Sequence, residues 1–221
     1  MSWAVNLGTK DIRLITDWRH PEYRLPNIEK VPSSICYENG KPHRWGYRAE
    51  SDDNALKWIK VLLETSPRFA EKVALVEKSN ELLQRLNKKA DEVVADYLRF
   101  LWQYTDADII AFKGSGYTSR YDLQVFLTVP AIWSDEAKER VLSAGKAAGL
   151  PQNVTCISEP EAAALYVLRK RADENDIQVQ ESVAKLPKCL LTKAGRRAFY
   201  YLRCGWGNCC KSRIALRTAN N

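Results

Sequence analysis

The stretch from Tyr121 to Ala172 constrains the fold most tightly. YDLQVFLTVP, Tyr121 to Pro130, is a run of aliphatic, β-branched and aromatic residues closed by a proline. Proline cannot donate to a strand ladder, so the run reads as a buried strand that must end in a loop at Pro130. Ser134 is placed to cap a helix whose first turn carries Asp135 and Glu136 and which stops at Gly149, a residue suited to the left-handed C-terminal position. VTCISEP then gives a short strand over 154–157, followed by Glu159 and by Pro160, which is tolerated in the first turn of the helix EAAALYVLRKRA. Strand, helix, strand, helix is the pattern of an α/β unit, in which chemistry is expected at the strand ends.

Around this unit the patterning is less regular. Residues 3–50 alternate apolar and polar positions with frequent breakers and predict β-structure, with ENGKP as a turn between two strands. Asp52 and Asp53 ahead of Leu56, Ile59, Leu62 and Leu63 predict a short amphipathic helix with acid at its N-terminal end. A longer helix is predicted from about Asn80 to Gln103, its apolar stripe formed by Leu82, Leu83, Leu86, Ala90, Val93, Val94, Tyr97, Leu98 and Leu101. The polar stretch 172–186 reads as a linker, dividing a unit at 1–171 from a basic tail at 187–221. No repeat of 20–50 residues is present.

Charge decides little until it is located. Of 34 basic and 27 acidic side chains, nine basic and no acidic ones lie between Ser182 and Asn221, leaving 25 basic against 27 acidic before them. The net +7 therefore belongs to the tail, and a nucleic-acid partner for the whole chain does not follow from it. No stretch approaches the roughly 18 to 20 apolar residues that span a bilayer, and MSWAVNLGTKDIR has no signal-peptide pattern, so a cytoplasmic protein without a membrane partner is expected. Cys36 and Cys156 stand alone in apolar runs as ordinary buried thiols. The cluster CGWGNCC offers Cys204, Cys209 and Cys210, with Cys189 upstream. Adjacent cysteines are poorly spaced to share one zinc ion, and His20 and His43 are far away, so no metal is assigned.

The candidate chemical stretch is Ile157-Ser158-Glu159-Pro160-Glu161. A carboxylate where a strand passes into a helix projects into the crevice where nucleotides usually bind, and can hold a hydrated magnesium ion. Equally, Glu159 and Glu161 can simply complement the helix dipole.

VPAIWSDEAKERVLSAGKAAGL followed by ISEPEAAALYVL resembles the seventy-kilodalton heat-shock chaperone family, in which a VPA-aromatic strand end, a helix ending in AGL and an E-P-x-A-A-A helix occur in this order. ITDW, KVPSSICYENG and WGYRAES resemble, more loosely, the divergent branch of that family found in filamentous fungi. The resemblance covers about residues 1–170 and implies a partial actin-like ATPase fold of the ribonuclease H-like class, mainly its first lobe. It implies ATP and magnesium as ligands, Glu159 as the carboxylate contacting the magnesium shell through water, and Pro130 as the residue coupling nucleotide state to lobe closure.

Departures from the family's pattern point to an inactive ATPase. The family's catalytic lysine follows a G-x-x-A stretch, whereas Gly46-Tyr47-Arg48-Ala49 is followed by Glu50, which cannot stabilise a transferring phosphoryl group. The first phosphate loop, D-x-G-T, should precede the Ser2-Trp3-Ala4 strand, and Asn6-Leu7-Gly8-Thr9 imitates it on the wrong side without an aspartate. Where the second loop, D-x-G-G-G-T, should stand, the chain reads AFYYLRCGWGNCCKSRIAL. Shifting the codons for 203–210 by one base permits Asp-Ala-Gly-Gly-Gly-Thr-Val, with one glycine forced by Trp206. An irregular tail translated out of frame from about Gly195 is therefore expected. The expectation is a chaperone-type ATP-binding fragment that neither binds ATP with magnesium nor hydrolyses it. The alternatives are a noncatalytic protein-interaction module and a nucleic-acid arm built on Arg196, Arg197, Tyr200, Tyr201 and Arg203.

Overall fold

In the computed structural model of the chain, residues 2–5, 12–18, 30–66, 73–173, 202–203, 209–210 and 213–218 are described. In chain order they form strands β1 (Ser2–Val5), β2 (Ile12–Leu14), β3 (Val31–Pro32), β4 (Ile35–Glu38) and β5 (Lys41–Trp45), the helical turn α1 (Tyr47–Glu50), and helices α2 (Val73–Leu86) and α3 (Ala90–Lys113). The short α4 (Tyr117–Arg120), β6 (Tyr121–Val129), α5 (Asp135–Ala147), β7 (Val154–Ser158) and α6 (Glu159–Asp173) follow, and β8 (Leu202–Arg203), β9 (Cys209–Cys210) and β10 (Arg213–Thr218) close the order. This is a mixed α/β architecture, as the strand and helix patterns imply.

The main sheet runs β2-β1-β10-β6-β7, with β8 also paired to β6. β6 lies inside the sheet, paired with β10, β7 and β8: residues 125–130 are all buried, which is why that segment reads as a continuous apolar run rather than an alternating one. β6 and β7 are parallel and in register from Val125↔Val154 to Val129↔Ser158. Helix α5 crosses between them, capped by the Ser134 hydroxyl, which accepts from the Ala137 N–H at 3.2 Å, and ended by Gly149 at φ 82°. It packs on α3 and β7. Val125, Phe126, Leu127 and Val129 join Val93, Tyr97, Leu101, Val141, Ala144 and Ile157 in one apolar cluster. Burial of each larger side chain contributes about 1.5–3 kcal/mol.

The turn expected within ENGKP is present. β4 and β5 form a hairpin whose two-residue turn, Asn39-Gly40, has positive φ at both positions, the geometry that Asn-Gly favours. Other expectations are corrected. The helix predicted after Asp52 and Asp53 is absent: Leu56 exchanges both backbone hydrogen bonds with Ile35, Trp58 turns left-handed at φ 57°, and only a 3₁₀ turn at Val61–Leu63 follows. Its apolar residues are buried all the same, because the turns deliver them to the same core. The helix predicted over 80–103 is two helices, broken where Asn87 adopts φ 49° and where Glu92 accepts the Lys89 N–H at 2.7 Å to start α3. The unit boundary at 171 and the linker start at 172 fall inside α6, which continues to Asp173.

The tail is not wholly irregular. β10 lies between β1, to which it is parallel, and β6, to which it is antiparallel, and β9 pairs with β3. The Asn6–Thr9 segment, His20, Cys189, Cys204, the linker from 174 onward and the shifted-frame start near Gly195 lie outside the described residues. So do Arg196, Arg197, Tyr200 and Tyr201 of the nucleic-acid reading. Among the described residues, no helix is long and apolar enough to cross a membrane.

Candidate functional site

The parallel register of β6 and β7 sets the site. Because Val129 lies opposite Ser158, the next residues, Pro130 and Glu159, leave the sheet side by side at its C-terminal edge. That edge is where open α/β sheets bind ligands. Pro130 is buried and its carbonyl accepts the Trp133 N–H at 3.2 Å, folding the exposed turn Ala131-Ile132 back over the strand end. Glu159 opens α6, yet its carboxylate does more than face the helix dipole. It accepts from Lys60 Nζ at 3.3 Å, and the same ammonium donates to the Thr128 carbonyl at 2.8 Å. Both side chains are largely enclosed, Lys60 at 16% and Glu159 at 12% of their full exposure, and the ammonium lies 5.5 Å from the centre of the Trp133 ring. Burial lowers the Lys60 pKa from 10.5 to about 8, against the opposing pull of the Glu159 carboxylate.

Lys60 is held there by the irregular segment that replaces the predicted helix. Left-handed Trp58 and the 3₁₀ turn aim it at the strand ends, and two polar clamps fix that turn against the helices. Glu64, itself buried, accepts the Ser134 N–H at 2.7 Å, the Ser134 hydroxyl at 3.2 Å and the Ser66 N–H at 2.9 Å. Burial pulls its carboxyl up, but these hydrogen bonds outweigh it and hold the group below the usual carboxylate range. Arg140 on α5 makes a two-pronged contact with Asp91 at 2.8 and 2.9 Å and donates to the Leu63 carbonyl at 2.6 Å. The Arg140 hydrogen bonds keep the Asp91 carboxyl below its ordinary value. Thus the 3₁₀ turn, α3 and α5 are fastened together one turn away from Lys60.

An enclosed ammonium beside an enclosed carboxylate can receive an anion and a hydrated cation as a pair. Magnesium keeps several waters and takes one or two carboxylates plus phosphate oxygens, so a single carboxylate fits a role through the water shell. A dedicated cage does not fit: among the described residues no three His, Cys, Asp or Glu side chains gather to hold a metal.

Of the residues expected from sequence, Glu159 and Pro130 are brought to one edge. Glu161 is exposed on the helix, its N–H donating to the Ser158 hydroxyl at 3.2 Å. Glu50 ends α1. The site cation is Lys60, eleven residues beyond the end of the G-x-x-A stretch, and the sequence reading missed it. The stretch Leu56-Lys57-Trp58-Ile59-Lys60-Val61-Leu62-Leu63 holds two lysines, each bracketed by apolar residues, so local pattern marks a cation to be drawn inward but does not choose Lys60 over Lys57. No family model, curated protein or solved structure matches the chain.

Proposed function

We propose that the chain is the first lobe of a heat-shock-type, actin-like ATPase fold whose strand-end site engages a magnesium–phosphate group without turning it over. The Lys60–Glu159 pair carries this reading: it sets a cation for phosphate oxygens beside a carboxylate for the metal's water shell, at the C-terminal edge of two parallel strands. The motif order supports it, since VPAIW falls on a strand end, AGL on a helix C-terminus and EPEAAA on the next helix start. Bound magnesium would neutralise phosphate charge. The chain's own part is to orient and desolvate, through Lys60 at the phosphate, Glu159 at the water shell and Pro130 at the turn above. Lys60 revises the expectation of no binding at all, while the absence of turnover is retained.

Isothermal titration with ATP in magnesium and in chelator, beside a phosphate-release assay, tests this. Weak, magnesium-dependent binding that falls tenfold or more in Glu159→Gln, with no release of phosphate, is the expected result. Lack of magnesium-dependent binding overturns the ligand assignment, and Glu159-dependent turnover overturns the noncatalytic one. A partner-binding role for the same lobe is favoured by Ile132, 62% exposed in the turn directly after Pro130, and by Tyr166, 53% exposed on α6. Loss of a captured partner in Ile132→Asp, with nucleotide binding unchanged, would select that reading.

A further inference from the structure

A second concavity lies apart from the strand-end site and shares none of its residues. The end of β5, α1 and α3 enclose a cleft of about 290 Å³ whose walls carry the aromatic rings of Trp18, Trp45, Tyr47, Phe100 and Tyr104. The rings brace one another. Trp45 stacks on Phe100 with 6.0 Å between centroids and 3° between planes, and Trp18 leans on Tyr104 at 5.1 Å. The volume is close to the lower bound of small-molecule sites, enough for a one- or two-ring compound.

Its polar groups are unevenly distributed. Tyr47 and Tyr104 donate their hydroxyl protons away to main-chain carbonyls, of Lys30 at 3.0 Å and Asp17 at 2.7 Å, and so anchor the walls. Arg48 and Gln103 also line the cleft and are exposed, and neither makes a hydrogen bond or ion pair among the described residues. The Trp18 indole N–H is enclosed, with no acceptor among the described residues. Among the described residues, no carboxylate lines the cleft. Aromatic faces alone suit a cation, but a guanidinium among the lining residues opposes one. The remaining donors, Arg48 above all, suit a planar anion, since guanidinium matches carboxylate geometry in two-pronged hydrogen bonds.

We infer that this cleft binds a small aromatic carboxylate, its ring seated among Trp18, Trp45, Phe100 and Tyr104 and its carboxylate on Arg48. The rings supply apolar burial and edge-to-face contact. The guanidinium supplies the preference for charge.

The test uses the full chain and three probes of one shape: indole-3-acetate, its neutral amide and indole, followed by calorimetry and ligand-observed NMR. Indole-3-acetate is expected to bind at least tenfold more tightly than the amide. Arg48→Met should erase that difference while leaving indole unchanged. Ala107→Trp, at an exposed lining position where an added ring can fill the cleft without disturbing the core, should abolish binding of all three. Failure of indole-3-acetate to bind the wild-type chain overturns the proposal. So does binding that survives Ala107→Trp, or a carboxylate preference that survives Arg48→Met.

Discussion

Replacing Lys60 with methionine and Glu159 with glutamine, singly and together, measures what the strand-end pair contributes. At 3.3 Å the gross attraction is about 5 kcal/mol with an effective dielectric of about 20. Breaking a buried pair from one side leaves the other charge enclosed and uncompensated, so each single variant should lose about 3 kcal/mol of unfolding free energy. The double variant removes both charges and should lose no more than about 1 kcal/mol, which makes the coupling between the two changes about 5 kcal/mol. Urea denaturation followed by circular dichroism gives all four values. The pH dependence adds a second reading. The folded chain releases the Lys60 proton at about 8 and the unfolded chain near 10.5, so between these values the unfolded state binds more protons. Wild-type stability should therefore rise with pH in that window, by about 3 kcal/mol in full. Burial pushes the thiols of Cys36 and Cys156 up to about 11, which erodes stability above pH 9. The Lys60 contribution is therefore read as the difference between wild type and the double variant. Additive single variants, or a difference that is flat from pH 8 to 9, would refute the argument.

The clamps around the site make further predictions. Arg140→Met should cost about 2–3 kcal/mol, because it removes hydrogen bonds to Asp91 and to the Leu63 carbonyl, and should weaken magnesium-dependent nucleotide binding by loosening the turn that carries Lys60. Calorimetry on the variant checks both effects. Glu64→Gln should lose about 1–2 kcal/mol at neutral pH, since one carbonyl oxygen and an amide replace a carboxylate that accepts from Ser66 and Ser134. The folded carboxyl sits below its ordinary value, so the wild-type advantage is present above pH 5 and disappears as acid protonates the group, which an acid titration of both proteins would show. Gly46→Ala should cost about 2 kcal/mol or more in thermal or urea unfolding. Its φ of 61° and ψ of −138° strain any residue with a side chain, and an added Cβ would stand 2.7 Å from the Val31 Cγ2 methyl.

Local chemistry made much of the strand-end unit legible. Pro130 had to end a strand, Ser134 could cap and Gly149 could terminate, and Asn39-Gly40 demanded a tight turn; each follows from the residue's own backbone preferences. The same preferences placed Glu159 where a strand passes into a helix. They failed where long-range pairing outweighed local periodicity. Leu56, Ile59, Leu62 and Leu63 are spaced for a helix, but Leu56 pairs with Ile35 twenty-one positions away, and the resulting turns bury the same side chains by another route. Apolar spacing reports that residues go inward, not how the backbone takes them there. Asn87 likewise divides a stripe whose period alone continues across it. In the tail, β10 inserts between β1 and β6, a pairing between strands far apart in the chain that no local pattern encodes. The site illustrates the division most clearly. Sequence alone selected the carboxylate of Glu159 and ended the neighbouring strand at Pro130, because strand ends and helix starts are local. Only the tertiary structure selected its cation, because Lys60 reaches Glu159 across ninety-nine positions of chain, and an ion pair over that separation exists only once the turns and the sheet have been packed together.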